Sequence, residues 1–244
     1  IYLDEQPMSL TSAAPDIYPV DLARMEALAG PQSTLYGASS QSGAIRVITN
    51  KPDPTEFSAN VGAGMGSTNS GGNSYELDAT VNIPLSDNVA IRLSGFSATD
   101  AGYIDNVQGN TVVNNVFTTG ESPDEGGLRN NSDMLEDDFN SVDWRGGRAA
   151  VRWLVDDNWS VTATTNFQEL EAGGYNDYDP LVGDLQAVKF AEETRTDDWV
   201  QTSLVIEGDL GFAQLVSATS YYDREMLYTN DTQSYAAYFH YSFG

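Results

Sequence analysis

Carboxylates are the plentiful reactive groups in this sequence. Its 244 residues include 36 Asp and Glu against 11 Lys and Arg, no cysteine and one histidine, His240. Without cysteine there is no thiol nucleophile, disulfide framework or thiolate metal site. A single histidine argues against a His-rich zinc or iron site and against a Ser-His-Asp triad, and it reads as a bystander. Oxygen chemistry remains. The clusters "EDD" at 136–138 and "NDYDP" at 176–180 carry the residue types that bind Ca²⁺ from flexible loops, with Asp177 and Asp179 as candidate ligands. Their spacing fits no EF-hand loop, and solvated acidic loops account for the same composition, so no cofactor beyond such a loop-bound ion is expected. Abundant carboxylates by themselves assign no acid/base pair. The run "GAGMGS" at 62–67 misplaces the third glycine of a dinucleotide fingerprint, and neither a nucleophile elbow nor a phosphate-binding loop is present. These readings point away from an enzyme.

Charge narrows the partners. A net charge of −25 argues against nucleic acid, which demands clustered Lys and Arg. Hydrophobic residues at 40% and aromatics at 11% argue against disorder. No window reaches the ~18 consecutive apolar residues of a membrane-spanning helix. The opening "IYLDEQP" reads as the middle of a domain, not as a signal peptide.

The elements that must position these groups alternate with period two. Phe57, Ala59, Val61, Ala63 and Met65 share one face of a strand; Tyr75, Leu77, Ala79, Val81 and Ile83 share the next. The pattern returns at Val89–Leu93, Ala149–Val155, Trp159–Phe167 and Val200–Ile206, and less cleanly across 212–222. Tight turns at 85–88, 156–158 and 208–211 alternate with long connections at 67–74, 99–143 and 169–197. Compact domains rarely carry structureless loops beyond ~15 residues. A transmembrane antiparallel β-barrel has short turns at one rim and long loops at the other. Strands near ten residues suit a tilted bilayer crossing. These apolar faces hold no charge, whereas the opposite faces carry Glu76, Asp78, Arg92, Arg148 and Arg152. A wet lumen lined by those five and a lipid-facing exterior fit this pattern. Trp144, Trp153, Trp159 and Trp199 suit interfacial girdles or core packing equally.

Ahead of the first strand stands a glycine-rich knot. "DLARMEALAGPQSTLYGASSQSGAIRVITNKP" resembles the end of the plug domain of TonB-dependent outer-membrane receptors. Arg24, Glu26, Gly30, Pro31, Gln32, Thr34, Leu35, Tyr36, Gly37, Gly43, Ile45, Val47, Thr49, Lys51 and Pro52 fall in register with that family's pattern. Ala27, Ala29, Ser33 and Ser42 depart from it mildly. "IYLDEQP" resembles the preceding plug strand, and "GYIDN" at 102–106 and "GGRAAVRW" at 146–153 resemble later barrel regions. The resemblance implies an all-β chain: residues 1–54 as the C-terminal part of a plug, and 55–244 as seven or eight strands of a probable 22. The chain is then an internal fragment, whose TonB-gripping segment lies upstream. Arg24 and Glu26 are expected against wall charges such as Arg92, Arg148 and Glu76. The implied function is active import of a scarce nutrient, most commonly an iron complex such as a ferric siderophore, across the outer membrane of a Gram-negative bacterium. Implied partners are a TonB-type energy-transducing protein, lipopolysaccharide and outer-membrane lipid, and the nutrient itself. Loop aromatics Tyr175, Tyr178 and Tyr238 are candidate substrate contacts. A passive or structural barrel, porin-like or adhesin, is the alternative, against which the retained knot argues.

Overall fold

Seven long strands form one antiparallel sheet, and their sequence explains which face is covered. The computed structural model describes residues 1–8, 14–36, 40, 42–112 and 128–232. In chain order the elements are β1 (Tyr2–Leu3), β2 (Gln6–Pro7), β3 (Leu22–Ala29), a one-turn α1 (Ser33–Tyr36) and β4 (Gly43–Thr49). They continue with β5 (Ser58–Ser67), β6 (Asn73–Ser86), β7 (Val89–Asp100), β8 (Asp105–Asn106), β9 (Asn110–Val112) and β10 (Leu128–Asn130). The rest are β11 (Val142–Leu154), β12 (Trp159–Ala172), β13 (Gln186–Ala187), β14 (Thr194–Asp209) and β15 (Gln214–Thr229). The large sheet runs β15-β14-β12-β11-β7-β6-β5, with every neighbour antiparallel and, among the described residues, both edges open.

The architecture is all-β, and all seven predicted strands are present. Six of the seven run longer than their apolar alternation, and at the ends of β12 and β14 backbone pairing continues where the outward face turns to Glu169, Glu171 and Asp198. β14, read from sequence as 200–206, starts at Thr194 and stays in register with β15 to the Thr194–Thr229 pair.

The two faces are chemically inverted relative to a water-soluble sheet. Val61, Met65, Leu77, Val151, Phe167 and Leu204 are exposed, Met65 to 82%. The covered face holds Arg148, Ser160, Thr162, Thr164, Asn166, Gln168, Gln201 and Ser203, all nine-tenths buried or more. What covers them is the N-terminal unit, a four-stranded sheet ordered β2-β1-β4-β3, in which β1 and β4 are parallel. Its Leu3, Met8 and Val47 pack with Trp199 of β14, flanked by Ile17, Leu22 and Tyr222. Full burial of a Leu, Met or Val side chain contributes roughly 1.5–3 kcal/mol. This small apolar cluster supplies adhesion along a largely polar seam.

The four tryptophans divide between the two sequence readings. Trp153 projects outward and is half exposed, and Trp159 shares its face, lying against Gly208. Trp144 and Trp199 face the N-terminal unit.

Glycine matters where a ring must lie flat on the sheet. A Cβ on Gly146 would sit 2.6 Å from the Phe96 ring and 2.7 Å from the Phe167 carbonyl oxygen, whereas one on Gly95 would meet nothing closer than 3.7 Å. Phe96 in turn carries Tyr18, ring centroids 4.5 Å apart and nearly parallel. Gly146→Val is therefore expected to destabilise the intact protein by about 1–3 kcal/mol, with Gly95→Ala near neutral. Urea unfolding of both variants checks this, and equal effects would contradict it.

Candidate functional site

The site is the seam between the N-terminal unit and the covered face, and its centre is Asp21. This residue adopts φ of 52° immediately before β3, a conformation that Asp and Asn tolerate better than other side-chain-bearing residues. The bend sends a carboxylate only 3% exposed toward the large sheet. Arg92 on β7 grips it with two bonds, Nε to Oδ2 at 2.7 Å and Nη2 to Oδ1 at 2.6 Å. Arg148 on the adjacent β11 lies 3.5 Å from Oδ2 and donates to the Asn50 carbonyl at 2.9 Å. Asn50 donates its side-chain amide to Asp21 Oδ1 at 2.9 Å, and its N–H to the Asp21 carbonyl at 3.0 Å. Bidentate arginine–carboxylate pairing fixes orientation as well as distance. Its net contribution to stability is small because desolvation offsets the attraction, so it specifies position more than it adds adhesion.

Other contacts flank this clamp. Tyr18 stacks on Phe96, leans on Trp144 with centroids 5.7 Å apart, and donates its hydroxyl to Glu76 at 3.3 Å. Burial, and then the neighbouring Glu76 carboxylate, raise the Tyr18 hydroxyl above its ordinary range. Gln168 accepts from the Tyr18 N–H at 2.9 Å and donates to the Asp16 carbonyl at 2.6 Å. The Asp16 carboxylate meets Arg195 at 2.8 Å. Lys51 reaches Glu207 at 2.7 Å. The segment joining the two sheets is held by Asn82, which donates to the carbonyls of Asp53 and Glu56 at 2.8 and 2.7 Å and accepts the Asp53 N–H at 2.9 Å.

The charged residues expected on the covered face lie there, in unequal roles. Arg92 and Arg148 hold Asp21, and Glu76 accepts from Tyr18. Asp78 leans over the bare backbone of Gly62, where a Cβ would lie 2.2 Å from its Oδ1. Arg152 stands near the carboxylates of Asp53 and Glu207.

Arg24 and Glu26 differ from expectation. They pair with each other at 2.7 Å, and Glu26 also accepts from Arg46 of β4 at 2.8 Å. Among the described residues these bonds stay within the N-terminal unit, because β3 directs both side chains away from the large sheet, Arg24 being 59% exposed. The Arg24 hydrogen bond holds the Glu26 carboxyl below its usual range. Asp21, three residues earlier, takes the position on the wall arginines.

The glycine-rich knot is a local scaffold. Gly30 has φ of 84°, Pro31 follows it, and the Gln32 N–H donates to the Ser40 carbonyl at 2.8 Å. Gln32 side-chain nitrogen donates to the Ala29 carbonyl at 3.3 Å, and Gln32's own carbonyl accepts the Tyr36 N–H, closing α1, which includes Leu35. The Tyr36 ring meets Tyr2 edge-on at 5.0 Å and lies beneath Arg46. Gly43 allows β4 to approach β3, since a Cβ would lie 2.5 Å from the Leu28 carbonyl oxygen. Thr49 donates its N–H and hydroxyl to Asp4 at 2.9 and 3.0 Å. Gly37 lies outside the described residues, as do Tyr238 and His240.

In the loops, Tyr175 is half-buried and Tyr178 exposed. Asp177 faces Lys189 at 3.4 Å, and Asp179 accepts the Leu181 N–H at 2.9 Å. Among the described residues no group of three or more His, Asp or Glu side chains is arranged to hold a metal ion.

Sequence reasoning passed over Asp21, Tyr18, Asp16, Gln168 and Asn82. Asp21 reads locally as a turn residue, and the others are single polar or aromatic positions whose partners lie 26 to 179 residues away. The one usable signal was the "PVD" step before the strand at Leu22, where a left-handed Asp starts β3.

Two predictions follow from this geometry. Asp21→Asn keeps a residue suited to the left-handed backbone but leaves Arg92 and Arg148 without their anion, a loss of about 3–5 kcal/mol for a buried pair. Hydrogen exchange should accelerate in β3 and β4 with β11–β14 unchanged; unaltered exchange would contradict the clamp. In the loops, burial and then the charges of Asp105 and Asp137 raise the Asp138 carboxyl above its usual range. The folded state thus binds that proton more tightly than the unfolded chain. Its stabilising effect is complete below the ordinary Asp pKa and is lost as pH rises through the raised one. Asp138→Asn should leave the melting temperature unchanged in acid and raise it at neutral pH; an equal shift at both would contradict this assignment.

Comparison with known structures places the fold. No protein-family model matches the chain. The siderophore receptor PiuA from Acinetobacter baumannii superposes with a TM-score of 0.59 at 13% identity, over 94% of this chain and 30% of that one. A variant of the ferric enterobactin receptor PfeA from Pseudomonas aeruginosa, in complex with enterobactin, gives 0.60 at 14% identity over 91% and 32%. A second PfeA variant gives 0.55 at 15% identity over 84% and 27%. The chain spans about a third of the length of the receptors it matches. Its fold is that of part of such a receptor: a run of β-barrel strands, open at both edges among the described residues, with a small N-terminal sheet seated on the covered face.

Proposed function

We propose that this chain is the plug-to-barrel section of a TonB-dependent outer-membrane receptor that imports an iron complex. Residues 1–54 form the C-terminal part of the plug, and 55–244 form the first barrel strands with their acidic loops. The observation that carries the reading is a sheet with its apolar face outward and its polar face occupied by a separate small sheet. A pore-forming barrel has no use for an occupant clamped through Asp21. A receptor that must stay shut until pulled does, and ion pairs whose attraction is largely offset by desolvation, so that both partners regain hydration on separation, suit that duty. The iron complex as cargo rests on likeness to receptors named for siderophores and ferric enterobactin.

The outer face supports a bilayer position. Gly147, Phe167 and Val200 share one row; the next outward pair is Arg145–Glu169, beside Asp143, Glu171 and Asp198. Such a boundary suits the edge of a hydrocarbon layer. Above it, the acidic rim would meet lipopolysaccharide phosphates, with divalent cations between them.

The test is uptake of radiolabelled ferric siderophores by iron-starved cells carrying the intact protein. Saturable uptake lost on adding a protonophore, and lost on deleting the TonB-type partner, is expected. Uptake indifferent to both would favour a passive barrel.

A further inference from the structure

We infer that the two long loops beyond the sheet are one preassembled cap that opens as a unit, independent of whether the protein transports iron. The first loop contributes residues 101–112 and 128–141, and the second 173–193. Their composition suggests separate, solvated acidic segments, yet three asparagines from the first loop are almost fully buried between chain segments: Asn106, Asn131 and Asn140.

Asn106 donates to the carbonyls of Met134 and Lys189 at 2.6 and 3.2 Å, and accepts from the Lys189 N–H at 2.8 Å and from Asn131 at 3.2 Å. Asn131 also donates to the carbonyls of Val107 and Lys189 at 2.9 and 3.1 Å and accepts the Gly109 N–H at 2.7 Å. Asn140 accepts the N–H groups of Tyr103 and Ile104 at 2.8 and 2.9 Å and donates to Asn176 at 2.7 Å. All three therefore bridge the first loop to the second, directly or, at Asn176, through a second amide.

The backbone joins the same segments. β8 and β13 pair in parallel, flanked by Asp105 N–H to Leu185 carbonyl at 3.0 Å and Val107 N–H to Ala187 carbonyl at 2.9 Å. A small apolar core of Ile104, Phe139 and Ala187, with Tyr103 against it, draws on both loops. Phe139 fits only because the second loop presents Gly174, where a Cβ would lie 2.3 Å from its ring. A buried amide stripped of its partners is costly, so separating the loops would break these bonds together. A ligand arriving from this side meets a fixed composite surface, not two flaps that close on it separately.

Hydrogen exchange of the intact protein tests this without a ligand. In the unmodified protein the amides of Asp105, Val107, Phe139 and Lys189 should share one opening rate; rates differing by about tenfold between the loops would overturn the proposal. Asn131→Ala should then accelerate exchange in both loops by about tenfold or more, with β11 and β12 unaffected. Acceleration confined to the mutated loop would overturn it as well.

Discussion

Arg92 and Arg148 stand on neighbouring strands of a face that water does not reach freely, and a guanidinium removed from water requires an anion. Asp21 is that anion. Because its carboxylate faces the large sheet, the bend before β3, the start of β3 and the placement of Tyr18 on Phe96 are all referred to one point on the wall. The constraint also works outward. A sheet whose covered face is built from arginine, threonine, asparagine and glutamine has its apolar residues on the other side, so its chemistry suits a non-aqueous exterior.

Adhesion and position come from different groups along the seam. Leu3, Met8 and Val47 against Trp199 supply one hydrophobic contact, and Tyr18 stacked on Phe96 beside Trp144 supplies a second, aromatic one. The remainder consists of directed polar contacts: Asp16 with Arg195, Lys51 with Glu207, Asn82 with the connecting segment. Their net energies are small individually, since each replaces hydration, but their geometries are mutually exclusive with a shifted docking. The N-terminal unit is thus located strictly and held moderately.

The strands were legible because period-two alternation is local: Val61 and Met65, or Val151 and Trp153, announce their face from the sequence alone. Strand ends were not, because beyond Phe167 and Val200 the outward face turns to Glu169, Glu171 and Asp198 and the apolar residues Leu170 and Trp199 move to the covered face, while the backbone ladder continues to Ala172 and back to Thr194. The wall arginines were legible as charges on the face opposite the apolar one. Their partner was not, since Asp21 lies 71 and 127 residues away and resembles any turn aspartate. Arg24 and Glu26, conspicuous in the motif, satisfy one another and Arg46 instead. The loop asparagines were opaque for the same reason: a buried amide network has no periodicity, and its members look like the polar residues of a solvated loop.

The central claim is that the large sheet turns its apolar face outward and its polar face toward the N-terminal unit. This stretch has no cysteine, and in the intact protein freed of any other cysteine single nitroxide labels can be attached at Gln201, Thr202, Ser203, Leu204 and Val205 of β14, followed by reconstitution in lipid vesicles. Collision with dissolved oxygen, which concentrates in hydrocarbon, reports the environment of each. The account predicts high oxygen accessibility at 202 and 204 and low accessibility at 201, 203 and 205. The opposite phase, or uniform accessibility along the strand, would contradict it.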